Sequence, residues 1–375
     1  MPIDMNCKGG YTRGVFNVKV AQQSTMVTIS DISRQFGVSP MTVSNALNNR
    51  KGVSADKAAA IRDYAQRMGY RPAYMARSLL RGKTDMIGLC LRDTPEDPWL
   101  AGLIHRIQEG LHQAGYHLNL IIAHDGLEHQ RWAIDRFKEF RVDAAIVGPL
   151  GFRQQYDALA ERLAGLPCAL AFDAIEPLPI DHVKLDTHAG AKLAVDHLVS
   201  RGHRTIGLLN TNSNERDRPL LPTRHTGFIE AMARHGLEVR QEWILCLADP
   251  YADPEQPLRE FLASGRPQPS AWFCHNDWHA AHAVRVLQEF DLNVPRDVSI
   301  VGFDNQPVAE LILPGITSIG FDVAVYARRI VEMVVAGVAR TRDGGRDRQG
   351  AVRQFQLAPY LIERHSVADL KAAEA

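Results

Sequence analysis

Cysteine is scarce and scattered in this chain. The 375 residues hold five, Cys7, Cys90, Cys168, Cys246 and Cys274, with no C-x-x-C pair among them. That spacing argues against a disulfide framework and against a zinc site. Cys90, Cys168, Cys246 and Cys274 lie inside apolar runs and read as small core residues of a reducing compartment. Long apolar stretches are missing as well. Nothing reads as a bilayer span, and residues 1–25 lack the hydrophobic stretch of a signal peptide. The expected setting is the cytoplasm, with no membrane partner. Catalytic fingerprints are also absent: no G-x-G-x-x-G follows the first expected strand, and there is no Walker A loop and no G-x-S-x-G elbow. These gaps count against an enzyme and against a bound cofactor. The missing signal peptide counts against a solute-binding protein serving a transporter. The tail Ser366–Ala375 shows no heptads, so no added coiled coil is expected there.

Net charge is absent only in total. Lys and Arg number 43, and so do Asp and Glu. Residues 24–84 carry ten bases against three acids (Asp31, Asp56, Asp63), a net of +7. Residues 1–23 add Lys8, Arg13 and Lys19 against one acid, and the remainder holds 30 bases against 39 acids. A basic head therefore precedes an acidic body, and only the head suits phosphate binding. Hydrophobic content of 45% and charged content of 23% are ordinary for globular protein. The length implies two or three domains.

The head has the marks of two helices meeting at a tight turn. Thr28 caps the first, with Asp31 as the return partner of a capping box. Ile32 and Phe36 share one face. Gly37 ends that helix in a left-handed cap. Ser39 caps the second helix and Pro40 takes its first position. Val43 and Leu47 point to the core. Pro40, Met41, Thr42, Ser44 and Asn45 are left facing outward, where a recognition helix meets base edges and phosphates. The alternative is a small three-helix unit with a solvated basic face.

After Thr84, apolar runs alternate with amphipathic stretches. Strands are expected at Ile87–Leu91, His117–Ala123, Ala144–Leu150 and Cys168–Phe172, with helices at Leu100–Gly115, His129–Phe140 and Arg153–Gly165. The alternation resumes from His188 and runs to Val298–Phe303. Such a pattern means parallel sheets covered on both faces, in two doubly wound lobes. Ligands of such sheets sit beyond the carboxyl ends of strands. Asp173, Asn276, Asp277 and Asp304 follow strands, and Arg224 opens a helix. Carboxylates, an amide and a guanidinium suit vicinal hydroxyls. Trp99 and Trp278 can offer flat faces to a sugar ring, although Trp278 reads equally as lobe core. Asp277 reads as a helix cap. Asp97 and Trp99 share an irregular loop. His275, His279 and His282 cluster, but are read as surface or bonded helix histidines and not as metal ligands.

The head segment, together with Gly69-Tyr70-Arg71-Pro72, Ala76-Arg77-Ser78-Leu79, Arg201-Gly202-His203-Arg204-Thr205-Ile206, Arg224-His225-Thr226-Gly227-Phe228, Asn276-Asp277 and Val298-Ser299-Ile300-Val301-Gly302-Phe303-Asp304, resembles the LacI/GalR family of bacterial transcription regulators. The motifs run from about Val27 to Arg364 in family order. Three departures stand out. Asn45 replaces a common Arg or His, Asn305 replaces a second Asp, and Arg92–Trp99 is an unusual first effector loop. The first bears on the operator sequence and the last on the ligand.

The resemblance implies a multi-domain chain. A flexible leader (1–25) precedes an all-α helix-turn-helix domain (26–71). A hinge helix and linker follow (72–84), then a two-lobed α/β periplasmic-binding-protein-like body (85–364) and a tail (365–375). It places three crossovers between the lobes, returning to the first lobe near Thr317 and to the second after Arg340–Gly350. It implies operator DNA as partner, a homodimer on a pseudo-palindrome, and a small effector, a sugar first, with a nucleobase or phosphorylated metabolite as alternative. DNA contact falls on Thr28, Ser39, Pro40, Met41, Thr42, Ser44 and Asn45, on Arg77 and Lys83 at the backbone, and on Leu79 as a minor-groove wedge. Effector contact falls on Asp173, Arg224, Asn276 and Asp304, with Trp99 and Trp278.

Overall fold

The computed structural model describes residues 27–70, 82–91, 98–123, 126–149, 153–172, 177–210, 223–246, 255–342 and 351–371. The chain divides into two compact units, Met1–Arg81 and Gly82–Ala375. Arg77, Leu79, Asp97, Asp173, Cys7 and the leader lie outside the described residues.

In the first unit, α1 (Ile29–Phe36), α2 (Pro40–Leu47) and α3 (Ala55–Arg67) enclose a small core. Ile32, Val43 and Ile61 are wholly buried, with Ala46, Ala58 and Ala65 beside them and Leu47 at the edge. Phe36 meets Tyr64 edge-to-face at 5.5 Å. Arg62 closes the end of α2 by donating to the Ala46 carbonyl (3.1 Å) and to Asn49 Oδ1 (2.8 Å).

The second unit begins with β1 (Met86–Leu91), α4 (Pro98–Gln113), β2 (His117–Ile122), α5 (Leu127–Glu139), β3 (Ala144–Gly148), α6 (Arg153–Ala164), β4 (Ala169–Phe172) and β5 (Asp181–Leu185). It continues through α7 (Thr187–Ser200), β6 (Ile206–Asn210), α8 (Arg224–Arg234), β7 (Ile244–Cys246), α9 (Gln256–Ala263), β8 (Ala271–Cys274), α10 (Asp277–Glu289), β9 (Ser299–Phe303), α11 (Val308–Leu311) and β10 (Thr317–Gly320). It ends with α12 (Val323–Arg342), β11 (Gln354–Leu357) and β12 (Tyr360–Ile362). Two six-stranded sheets result, ordered β11-β5-β4-β3-β1-β2 and β12-β10-β9-β8-β6-β7. All pairings are parallel except β10 with β12. Each sheet is apolar on both faces. On the first, α4 and α12 cover one side and α5 and α6 the other. This is the helical head and two-lobed α/β body that the sequence implies.

The lobe crossings fall where the resemblance places them. β10 stays in the second sheet, paired with β9, and the return to the first lobe follows Gly320, near Thr317. β11, beyond the Arg340–Gly350 stretch, pairs with β5 of the first sheet, and the final crossing follows Leu357. β5 was not anticipated. Its Asp-His-Val-Lys-Leu sequence is too polar to read as a buried strand, and Asp181 is held by Arg353 and Arg340 at its start. Within the tail, residues 365–371 pack on the second lobe. Ser366 is wholly buried, donates to the Ile300 carbonyl (2.6 Å) and accepts from Thr317 N–H (2.8 Å). Cys90 and Cys274 are buried, whereas Cys168 and Cys246 are only half-buried.

Gly302 in β9 packs without a side chain against the Asp277 carboxylate. A Cβ there would lie 2.0 Å from Asp277 Oδ1 and 3.1 Å from Ile316. Gly302→Ala is expected to cost about 1–3 kcal/mol, as overpacking in a rigid interior does, and to lower the urea midpoint of the body relative to wild type.

Candidate functional site

In the head, sequence chemistry sets the helix termini. Thr28 Oγ1 accepts from Asp31 N–H (3.3 Å) and the Asp31 carboxylate accepts from Thr28 N–H (2.9 Å). Gly37 takes φ 57°. Ser39 Oγ then accepts from Thr42 N–H at 3.1 Å and Pro40 opens α2. The first turn of α2 thus carries Ser39, Pro40 and Met41 outward, Met41 being 67% exposed. Thr42, Ser44 and Asn45 are half-buried on the same helix, and Thr28 is exposed but occupied as a cap. An exposed helix N-terminus with exposed side chains beside it suits phosphates and base edges. Asp31 and Asp63 are matched by Arg34 and Arg67 in i,i+3 and i,i+4 pairs, and Arg50, Lys51 and Lys57 are further exposed cations. Lys83 belongs to the second unit, where its Nζ lies 3.0 Å from Asp85.

In the body, parallel strand direction gathers Arg224, His275, Asn276 and Asp304 at the carboxyl edge of the second sheet. Thr223 caps α8 through a box with Thr226, which fixes Arg224 at the first helical position. The Arg224 guanidinium lies 4.1 Å above the Phe303 ring. Its Nη1 donates to the His275 carbonyl at 2.7 Å, and Nη2 is 3.7 Å from Asp304 Oδ1. The two side chains are only 13% and 12% exposed, so the pair is poorly screened. His275 Nδ1 is 2.9 Å from Asn210 Oδ1. Burial, then the Arg224 cation and His279, hold the His275 ring well below its ordinary value and therefore neutral. Burial likewise lowers His279 to about 4, with His282 and Arg224 adding to the effect.

Asp304 and Asn305 both take left-handed backbone, φ 81° and 49°. Three contacts hold that turn. Gln306 N–H donates to Asp277 Oδ2 at 2.6 Å, Asn305 N–H to Ser318 Oγ at 3.2 Å, and Arg364 Nη2 to Asn305 Oδ1 at 2.7 Å. Asn305, the departure from the common second Asp, thus meets Arg364 as a neutral amide.

Two expectations change here. The helix cap is Asn276 and not Asp277: Asn276 Oδ1 accepts from His279 N–H at 2.9 Å, and Asp277 is wholly buried at the first helical position. Trp278 is not lobe core. It is 53% exposed, crosses the His282 ring at 4.8 Å, and lines a groove with Arg285, Ile312 and Leu313 that neither Arg224 nor Asp304 reaches. Trp99 packs 6.2 Å from Tyr326 in the first lobe. Of the three histidines, His279 is buried, and His282 Nδ1 sits 2.5 Å from Glu255 Oε1. No metal-ligating cluster occurs among the described residues. The sequence reading gave no role to Phe303 or Asn210. A strand-end position was their only signal, and each acts through a neighbour that folding supplies.

Asp277 also makes the site sensitive to pH. Burial drives its carboxyl up to about 7 against the opposing pull of Ser318, Gln306 N–H and Arg364, and Asp304 pushes the same way as burial.

Comparison with known proteins bears on both halves of the chain. Residues 28–73 match the bacterial regulatory proteins of the lacI family, and residues 195–367 match the periplasmic binding protein-like domain. The HTH-type transcriptional repressor PurR of Serratia proteamaculans (strain 568) is 30% identical over 347 residues, spanning 92% of this chain and 98% of that protein. The PurR repressor of Pasteurella multocida (strain Pm70) is 28% identical over 345 residues, 91% and 99% of the two chains. Among solved structures, the lac repressor dimer bound to operator and the anti-inducer ONPF superposes with a TM-score of 0.77 at 24% identity, over 92% of this chain and 99% of that one. A transcriptional regulator CelR–cellobiose complex gives 0.64 at 23% identity, over 91% and 99%.

The raised Asp277 value makes a stability prediction. A carboxyl bound more tightly to its proton in the folded state contributes stability that is complete below its unfolded range and is lost as pH rises through about 7. Asp277→Asn, which has nothing to titrate, is expected to show a smaller fall in urea midpoint between about pH 5 and pH 8 than wild type. Parallel curves for the two proteins would contradict it.

Proposed function

This chain belongs to the lacI family of bacterial regulatory proteins and is a DNA-binding transcriptional repressor, not an enzyme, and from that premise we propose that a small sugar or related polyol sets its affinity for operator DNA. The observation that carries this is the Arg224–Asp304 pair. A planar fork of donors, flattened on Phe303, stands 3.7 Å from a carboxylate acceptor at the edge of the sheet. Such a pair can take adjacent hydroxyls, the guanidinium donating and the carboxylate accepting. Asn276 is committed to its cap through Oδ1, which leaves its amide N–H groups for a further oxygen. Asp173 and Trp99 would meet the effector from the first lobe. An effector bridging both lobes favours a closed state, and it moves the DNA equilibrium only by its differential affinity for the two states.

The setting is the cytoplasm, where the operator is, and the working form is a homodimer. One α2 reads few base pairs, so two copies on a pseudo-palindrome supply the rest. Ser39, Pro40, Met41, Thr42, Ser44 and Asn45 meet DNA directly, and Thr28 does so beside its cap. Arg77 and Lys83 touch the backbone, and Leu79 wedges into the minor groove. A nucleobase is the second reading of the effector, favoured by the 28–30% identity to repressors named PurR over nearly their whole length.

Thermal-shift screening of sugars and nucleobases against wild type and Arg224→Ala separates these readings. A sugar is expected to stabilise wild type, and Arg224→Ala to lose about tenfold or more in affinity for it, as removal of a charged hydrogen-bonding partner does. Gel shifts should show that Arg224→Ala keeps its operator. Stabilisation by nucleobases alone would replace the sugar reading, and equal stabilisation of both proteins would place the site elsewhere.

The DNA contacts have their own test. Asn pairs in bidentate fashion with adenine, whereas Arg pairs with guanine. Selection from random duplex DNA with Asn45→Arg is therefore expected to return a changed consensus at one position of each half-site. An unchanged consensus would remove Asn45 from the base-reading set.

A further inference from the structure

The point at which the linker enters the body is organised by one carboxylate. Asp143, at the head of β3, is 11% exposed. Its Oδ1 accepts from Thr84 N–H at 3.2 Å and its Oδ2 from Asp85 N–H at 2.8 Å. Arg342 Nη2 donates to the same Oδ2 at 2.8 Å and lies 3.7 Å from Asp85 Oδ1. Thr84 Oγ1 donates to the Arg141 carbonyl at 2.8 Å, and Asp85 takes φ 49°. The backbone of residues 84–85 is thus fixed in position and direction, and Arg342 shares the fixing point.

Arg342 is the last residue of α12, a twenty-residue helix about 30 Å long. The helix packs in the first lobe from Val323 and Tyr326 onward, and the chain just before it comes from the second lobe. Phe321, just before it, is 4% exposed in the second-lobe core and lies 5.8 Å from Phe303, the ring beneath Arg224. Asp322 Oδ1 accepts from Ala324 and Val325 N–H, both at 3.0 Å, and so caps the first turn. Between its ends α12 is tightly seated. Gly337 stands where a Cβ would come within 2.5 Å of Cys168 Sγ, and Val331 fills the space above Gly110. A helix packed along its length shifts as a body more readily than it bends.

We propose that Asp143 and Arg342 are positioning residues that tie the linker at 84–85 to the C-terminal end of α12, so that a change at the Phe303–Phe321 contact reaches the DNA linker as a movement of this anchor. The inference rests on the reading of Arg224 and Phe303 as the effector site. Coupling is reciprocal, so DNA alone tests it from the opposite end. The probe is the duplex recovered by selection with the wild-type full chain, and the readout is amide hydrogen exchange over Phe321–Tyr326. In wild type, saturating duplex is expected to change exchange there by about fivefold or more, the low end of typical coupling. Asp143→Asn and Arg342→Gln are expected to bind the duplex and to leave that segment unchanged. Arg342 is 36% exposed, so Arg342→Gln carries the test if Asp143→Asn does not fold. No response in wild type, or a full response in Arg342→Gln, would overturn the anchor. A response confined to wild type, with no sugar or nucleobase binding in the thermal-shift screen, would keep the anchor and remove the effector reading. The reverse pattern would keep the effector reading and remove the anchor.

Discussion

A parallel sheet must be covered on both faces, and that constraint governs the body. Most strands are followed by a helix that returns the chain to the same starting edge. All carboxyl ends of the strands in one sheet then point the same way. Arg224, His275 and Asp304 come from three separate β-to-α connections, yet they meet because each connection opens on that edge. The one antiparallel partner, β12, sits at the sheet's end, where it leaves this alignment intact.

Polar groups in this site are held more than they are exposed. Arg224 is flattened on Phe303 and anchored by the His275 carbonyl, so little of its side-chain freedom remains to be lost on binding. Asp304 is kept in a left-handed conformation that a non-glycine residue adopts only at some cost. The buried Asp277 and Ser318 and the half-buried Arg364 secure the turn around it. The strain and the burial of Asp277 belong to one arrangement: the carboxylate is shut away from water because it must face the backbone of residue 306. The head follows a different economy. Its six-residue core is small, and local caps at Thr28, Gly37 and Ser39 define its geometry.

Much of this was legible before any coordinates. The capping box at Thr28 and Asp31, the left-handed Gly37 and the Ser39–Pro40 start of α2 are local chemistry, complete within four residues, and each appears as read. The strands of the first sheet up to β4 were equally clear, because fully apolar runs such as Met86–Leu91 leave no other option. β5 is not legible because its Asp181 is satisfied by Arg353 and Arg340, more than 150 positions away. The sheet that β11 joins is likewise not written in the strand: Gln354 lies beside His182 of β5, far back in the chain.

The sequence alone settled what is local or periodic: two helices and their turn, a basic head on an acidic body, and the alternation that makes parallel sheets. The tertiary structure decided which polar residue does what at the site. Asn276 and Asp277 are neighbours with similar capping ability, and only packing against Gly302 and Gln306 buries the second and leaves the cap to the first. Trp278 faces solvent because α10 turns its other side to the sheet. Arg224 finds Phe303 across a separation of 79 residues, a contact that no local pattern encodes because it exists only once both connections reach the same edge.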